Sequence, residues 1–376
     1  MGLILTVAMA VTLLTAAMLL LRWRNTVCTG PMPVSFFTFI AILFTSGLDV
    51  GLIMFPLLDF ELYASDPAYA FANPLAVEFG FWGFLVWGFY FLTTFYFCIV
   101  EPKLKLFEIP AIKFTNNVVI IGTCAFTAFL FLSFLPTYIT GISDPFRYLL
   151  VGFVILFAVF SSSDIKYVKI LSVSSTWLFF ALIAGVWLVS GMGIAGLVES
   201  SSHIGAYFSN IHRFVAPITD YHQFYLYWWF AWSIMIGQFV ARFVGGLPAW
   251  KLFVALIVVP SIPIAIWFSV LYYYFSNEVS ISAGWQMAMV VVGVIFVVNS
   301  LDSLIRLYTQ NLNVTTERFG KAQYIIGNWA ALTTLVLLYQ FTPLKIEWIG
   351  LVVVGIYTAV YALVFLRRQQ LQEASA

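Results

Sequence analysis

Charge is what this chain has least of. Asp, Glu, Lys and Arg make up 9% of its 376 residues, where a soluble domain carries about 25%. So few charges mean a chain solvated by lipid rather than water. Cysteine and histidine are scarcer still, three of each. Cys28, Cys98 and Cys124 are odd in number and scattered without metal spacing, so they imply no disulfide framework. His203, His212 and His222 fall in one polar stretch. A haem or metal site between helices needs histidines at matched depth on facing spans, so a membrane haem or metal enzyme is a remote alternative. The net charge of +1 gives no reason to expect nucleic acid or an acidic partner.

What is abundant is apolar. Hydrophobic residues make up 62% and mean hydropathy is +1.00. Segments of the roughly 20 residues that cross a ~30 Å hydrocarbon core fall near 3–21, 34–58, 75–99, 112–135, 145–163, 170–190, 222–244, 250–275, 283–305, 322–341 and 346–366. These eleven spans predict an all-α integral membrane protein. Residues 193–214 are too polar to cross and read as an amphipathic helix at the interface.

Lysine and arginine mark cytoplasmic loops and so test the spans. With the N-terminus outside and the C-terminus cytoplasmic, fourteen of them, from Arg22 to Arg368, fall inside; only Arg147, Arg213 and Lys345 fall outside. One missed helix would scramble that alternation. The first span has no basic residue before it and is followed by RWR, so it is expected as an uncleaved, N-out anchor. Residues 1–25 then form a peripheral helix. Five spans (34–190) precede the interfacial segment, five (222–367) follow it, and 368–376 is a short cytoplasmic tail. Five is odd, so the second set enters from the opposite side. That is the arithmetic of two inverted five-helix repeats with a substrate site near the midplane.

In such folds the first helix of a repeat is often broken. Here it holds SGLDVGLIMFP, with Gly47, Gly51 and Pro56 interrupting the run and Asp49 between the glycines. The functional reading is an unwound stretch whose carbonyls and carboxylate hold a cation; the plain reading is a glycine-rich helix contact. The next span carries FWGFLVWGFYF. At about 100° per residue, Trp82, Trp87 and Tyr90 lie on one broad helical face. Trp228, Trp229 and Trp232 crowd FYLYWWFAWS in the same way. Ring faces attract cations, and several rings make a cage for a quaternary ammonium group. For any single ring, packing is the commoner use.

FYLYWWFAWSIMIGQFVARF resembles the signature helix of the betaine/carnitine/choline transporter family, FYWAWWISWSPFVGxFIAR. Trp228, Trp229, Trp232, Ser233, Gly237, Phe239, Ala241 and Arg242 match; Leu226 and Ile234 depart from it. FWGFLVWGFY resembles that family's HWGxHxWAxY, SSSDIKYVKILS its SxxSGxxKGIKxLS, and FVVNSLDS its FxxTSADS. The resemblance implies secondary, cation-coupled transport of betaine, choline, carnitine or a related onium compound through the fold of sodium-coupled amino-acid transporters. It implies no catalysis and no cofactor beyond a sodium ion, and it places the chain in a bacterial inner membrane. A homotrimer through the interfacial helix is a further implication. Members usually have twelve helices, so the first is expected to be missing here. The tail RRQQLQEASA is too short for the charged extensions of osmosensing members. A same-fold transporter of amino acids or other amines is the alternative.

Trp82, Trp87, Tyr90, Trp228, Trp229 and Trp232 thus become the expected substrate residues, with Asp49 as a countercharge. Gly47, Leu48, Asp49, Gly51, Phe296, Asn299 and Ser300 are the expected coupling-ion residues. Sodium-coupled members carry GMGIG where this chain has GLDVG. A carboxylate there also suits proton coupling, so sodium and proton stay open. Asp302 reads as a helix-end cap facing the cytoplasm.

Overall fold

The computed structural model describes residues 2–48 and 50–373. Helices fill all eleven expected spans: α1 (Gly2–Trp23), α2 to α4 (Phe36–Gly47, Val50–Met54, Pro56–Ser65), α5 and α6 (Pro74–Trp82, Trp87–Ile99), α7 (Pro110–Tyr138), α8 (Asp144–Ser162), α9 (Lys166–Val189), α12 (Asp220–Val240), α13 (Ala249–Ser276), α14 (Ala283–Asn311), α15 (Lys321–Phe341) and α16 (Ile346–Leu366). Among the described residues, nine helices are long and apolar enough to cross a membrane. The two other spans are the fragmented α2–α4 and the aromatic α12, whose residues from Tyr225 to Gly237 are all buried. The chain is a multi-pass membrane protein.

Residues 193–214 differ from the expectation of one amphipathic helix. They form α10 (Ile194–Ser202), α11 (Gly205–Ser209) and a 3-10 turn from Ile211 to Val215. Apolar anchors drive the folding back: Tyr207 and Phe214 are buried, and Phe214 packs so close that a Cβ on Gly80 of α5 would lie 2.2 Å from its ring. Ser200 and Ser201 of α10 bond Ser269 of α13.

α12 is the inner post, packed against α6 and α16, while α14 lies on α7, α8 and α9. Membrane helices approach closely where small residues allow it. A Cβ on Gly237 of α12 would sit 2.1 Å from Thr93 Oγ1 of α6, and one on Gly350 of α16 would sit 2.4 Å from the Tyr227 carbonyl. The helix ends that the charge pattern groups together also meet. Val27–Cys28 pairs antiparallel with Leu247–Pro248, Trp250 N–H bonds the Arg24 carbonyl, Arg242 bonds Gln310 and Arg367 bonds the Leu104 carbonyl. At the opposite end, Asn73 bonds the His203 carbonyl and Tyr69 bonds Thr219.

Gly350 and Gly355 lie on one helix, and nothing lies within 4 Å of a Cβ on Gly355. Gly350→Ala should therefore destabilise by about 1–3 kcal/mol and lower the temperature at which the purified protein loses its monodisperse state, while Gly355→Ala leaves it unmoved.

Candidate substrate site

Breaking a helix inside hydrocarbon frees carbonyls that lipid cannot satisfy. α2 ends at Leu48, whose backbone is extended (φ −129°, ψ 148°). Four carbonyls near this break meet side-chain donors from other elements. Tyr90 Oη donates to the Gly47 carbonyl at 3.1 Å, and Ser300 Oγ to that of Leu48 at 2.8 Å. Trp267 Nε1 donates to the Leu52 carbonyl at 3.0 Å, and Tyr138 to that of Met54.

A second break corrects the sequence reading. Trp82, Trp87 and Tyr90 do not share one continuous helix: α5 stops at Trp82 and α6 starts at Trp87. Gly83 is extended and Phe84 takes a left-handed φ of 45°. Here the donors are the aromatic residues themselves. Trp229 Nε1 bonds the Phe81 carbonyl and Trp87 Nε1 that of Trp82, both at 2.8 Å. Ser261 of α13 accepts the Phe84 N–H at 3.2 Å.

Capping the break brings the rings together. Trp82 stands nearly perpendicular to Trp228 (5.6 Å, 86°) and to Trp229 (5.5 Å, 85°). Trp82, Trp228, Trp229 and Trp232 join Gly47 and Leu48 around one small cavity of about 10 Å3, room for about one water. Trp87 and Tyr90 do not line it; they back Trp229 at 6.4 and 5.9 Å. Phe55, which the sequence did not single out, lies 6.3 Å from both Trp82 and Trp228 and stacks on Phe134. The indole N–H groups of Trp82, Trp228 and Trp232 have no hydrogen-bond partner among the described residues, and that of Trp82 sits beside the Glu78 carboxyl. A larger cavity of about 660 Å3 between α1, α6 and α16 contains none of the expected residues.

The expected coupling-ion residues are partly brought together. Ser300 reaches the carbonyls of Thr45 (3.4 Å) and Leu48, and Ser46 bonds Ser303 at 2.7 Å. Phe296 packs on Phe44 and Phe179. Asn299 turns away from the break, its amide bonding Ser175 of α9 and the Ile295 carbonyl. Gly51 opens the first turn of α3. Asp49 lies outside the described residues.

Two buried acids were missed. Asp59 of α4 accepts from Tyr221 (2.9 Å), Tyr225 (3.0 Å) and Tyr63 (3.3 Å), and Tyr63 also lies 2.8 Å from Glu78 of α5. Glu78 is fully buried, and its Oε1 has no hydrogen-bond partner among the described residues. Glu78 falls inside the predicted span 75–99, the signal that drew attention to Asp49, whereas Asp59 lies one residue past the end of 34–58. Asp302 is also corrected. It is no helix-end cap but is buried within α14, paired at 3.0 Å with Arg306, which bonds the Ser161 and Asp164 carbonyls. The histidines do not converge: His203 rests on Tyr272, and His222 stacks on Phe81.

No family model matches the chain. A Haemophilus influenzae protein described as an uncharacterized transporter is 34% identical over 130 residues. That match takes in 31% of this chain and 19% of the relative, about a fifth of its length. A solved structure of a Na+-coupled sialic acid symporter, in a substrate-bound outward-open state, superposes with a TM-score of 0.52. It covers 94% of this chain and 84% of its own at 14% identity. The chain therefore has the fold of that symporter, the fold of sodium-coupled amino-acid transporters.

Trp229→Phe keeps a ring and deletes the donor to Phe81, leaving a buried acceptor unpaired at a cost of about 1–3 kcal/mol. Trp228→Phe deletes a donor that holds nothing. Thermal unfolding in nanodiscs should show the first variant clearly destabilised and the second close to the parent.

Proposed function

We propose that this chain is a secondary transporter that imports a quaternary ammonium or related onium compound by cation-coupled alternating access. The observation that carries the reading is the convergence of Trp82, Trp228, Trp229 and Trp232, from two different spans, on one space beside a helix break. The fold shared with a symporter and the partial match to a transporter support the transport part. The sequence resemblance to the betaine/carnitine/choline family supports the substrate class.

Ring geometry explains why a methylated cation suits the site. The edge of an indole is electropositive and its face electronegative. In the collapsed cage perpendicular contacts of Trp82 with Trp228 and Trp229 put edges on faces. An onium group entering there parts the rings and replaces a partial positive charge by a full one. It brings no hydrogen-bond donor, and the cage has no need of one.

Two of the cage's three unpartnered indole donors refine the substrate; the third, that of Trp82, sits beside the Glu78 carboxyl. Buried N–H groups left without acceptors are costly, and Trp228 and Trp232 both line the cavity. A carboxylate on the substrate, as in betaine or carnitine, supplies the acceptor that choline lacks. We place the sodium-type coupling site at the first break, where Ser300 gathers the Thr45 and Leu48 carbonyls; Gly47, Asp49, Gly51 and Phe296 complete the assignment from the sequence, while the Asn299 amide, held by Ser175, is left out of it. Residues 34–190 and 222–367 serve as the two moving repeats. A trimer through α10 and a bacterial inner membrane with the N-terminus outside belong to the same proposal.

Equilibrium binding to the purified protein tests it. Trimethylated compounds should bind and their primary-amine analogues should not, and Trp82→Ala should abolish binding. Equal affinity for glycine and glycine betaine would sink the cage. In Trp232→Phe, glycine betaine should weaken by about 10- to 150-fold, the worth of a charge-assisted hydrogen bond, while choline is little changed.

A further inference from the structure

Beside the cage, the chain buries two carboxylates without a base. Asp59 and Glu78 are 5% and 0% exposed, and among the described residues neither pairs with Lys, Arg or His. The groups around them come from every packed element. α4 supplies Tyr63, the following turn Tyr69, α7 Tyr138 and α12 Tyr221, His222 and Tyr225. His222 Nδ1 accepts the Ile218 N–H, so it carries no proton there. Every other titratable neighbour is a neutral phenol, and Trp82 of α5 brings its indole N–H beside Glu78. Buried charge on this scale is held by a partner or is cancelled.

Counting hydrogens identifies the partner. Tyr63 has one hydrogen, yet its oxygen lies within hydrogen-bond range of Glu78 Oε2 (2.8 Å) and Asp59 Oδ2 (3.3 Å). With both acids ionised, one of those contacts is oxygen against oxygen with nothing between. One added proton on Glu78 satisfies both: the carboxyl O–H donates to Tyr63, and Tyr63 donates to Asp59. Asp59, with three phenols aimed at it, keeps the negative charge. Oε1 of Glu78 forms no hydrogen bond among the described residues, with the Trp82 indole beside the carboxyl, which suits a neutral acid better than a carboxylate.

The pair is also tied to the rings. Glu78 lies one turn before Trp82, about 6 Å along the helix axis. Tyr225, which bonds Asp59, has its ring 5.7 Å from both Trp82 and Trp228. We propose that Asp59 and Glu78 are the countercharge of the onium head: together they hold one proton while the cage is collapsed and release it when the head enters. The site's net charge is then −1 in both states, with a proton or an onium group as the compensating cation. This rests on the onium reading above and names the group that balances the substrate's charge.

Linkage sets the sign. Glu78 is protonated in the free protein and ionised in the complex, so acid opposes binding. Affinity of the full chain in nanodiscs for choline and for glycine betaine should rise by about tenfold per pH unit until the free pair is itself ionised. In weakly buffered solution, close to one proton should appear per onium bound. Glu78→Gln should release none and show a flat pH profile, while Glu61→Gln, on the exposed side of α4, behaves as the parent. Tyr63→Phe keeps the ring and removes the shared hydrogen, and should displace the profile if Glu78→Gln does not fold. Infrared difference spectra between acid and alkaline buffer read the proton without any substrate, through a carboxylic acid band that Glu78→Gln deletes. That band with no onium binding would overturn the substrate reading alone. Its absence, or onium binding equally strong at every pH in the parent, would overturn the proton site.

Discussion

A backbone carbonyl released from its helix within hydrocarbon must find a hydrogen from elsewhere, and this fold is organised around meeting that demand twice. The donors come from spans distant in sequence: Tyr90, Ser300, Trp267 and Tyr138 serve the first break, Trp229 and Trp87 the second. A side chain that caps a fixed carbonyl has its own orientation fixed. The cage is therefore a by-product of backbone satisfaction: Trp229 faces Trp82 because its N–H is anchored to the carbonyl of Phe81. Trp228 and Trp232 are released from that duty, and on the proposed function theirs are the polar groups open to a substrate, while the Trp82 N–H sits beside Glu78. Structural and recognising indoles are thereby separated by where their N–H groups go.

Much of this was readable in the chain. Span count and alternation followed from hydropathy and basic residues, and the first break from Gly47, Gly51 and Pro56 punctuating an apolar run. Clustered tryptophans marked the cage helices. The second break was not readable, because Gly83 is a single small residue among aromatics and the left-handed turn falls on Phe84, which carries no local signal. Asp59 and Glu78 stand near the ends of their spans, where charge is cheap and ordinarily means solvent. Their burial depends on the nearby Tyr63 and on Tyr221 and Tyr225, which reach Asp59 from more than 150 positions away. Asp302 could be read as a cap only while α14 was expected to end near 305; the helix runs on to Asn311.

The two breaks divide the labour of the site by chemistry. The first exposes oxygen: carbonyls gathered by serine and tyrosine hydroxyls, the donor set a hard cation prefers. The second assembles ring faces, which suit a soft, diffuse charge. Gly47 and Leu48 border both, so on the proposed function the ion and substrate sites share a single stretch of unwound backbone.

The Asp302–Arg306 pair bears on how the chain is made. Each ion alone at the centre of a helix costs on the order of 2.5–3.5 kcal/mol to insert, and α14 carries both. Spaced by four residues, they pair within their own helix and need no neighbour to neutralise them. α14 can thus leave the translocon as an electrically balanced segment before α8 is packed beside it. In the folded chain the same guanidinium also takes up the Ser161 and Asp164 carbonyls, so one arginine serves its own helix and the seam with α8.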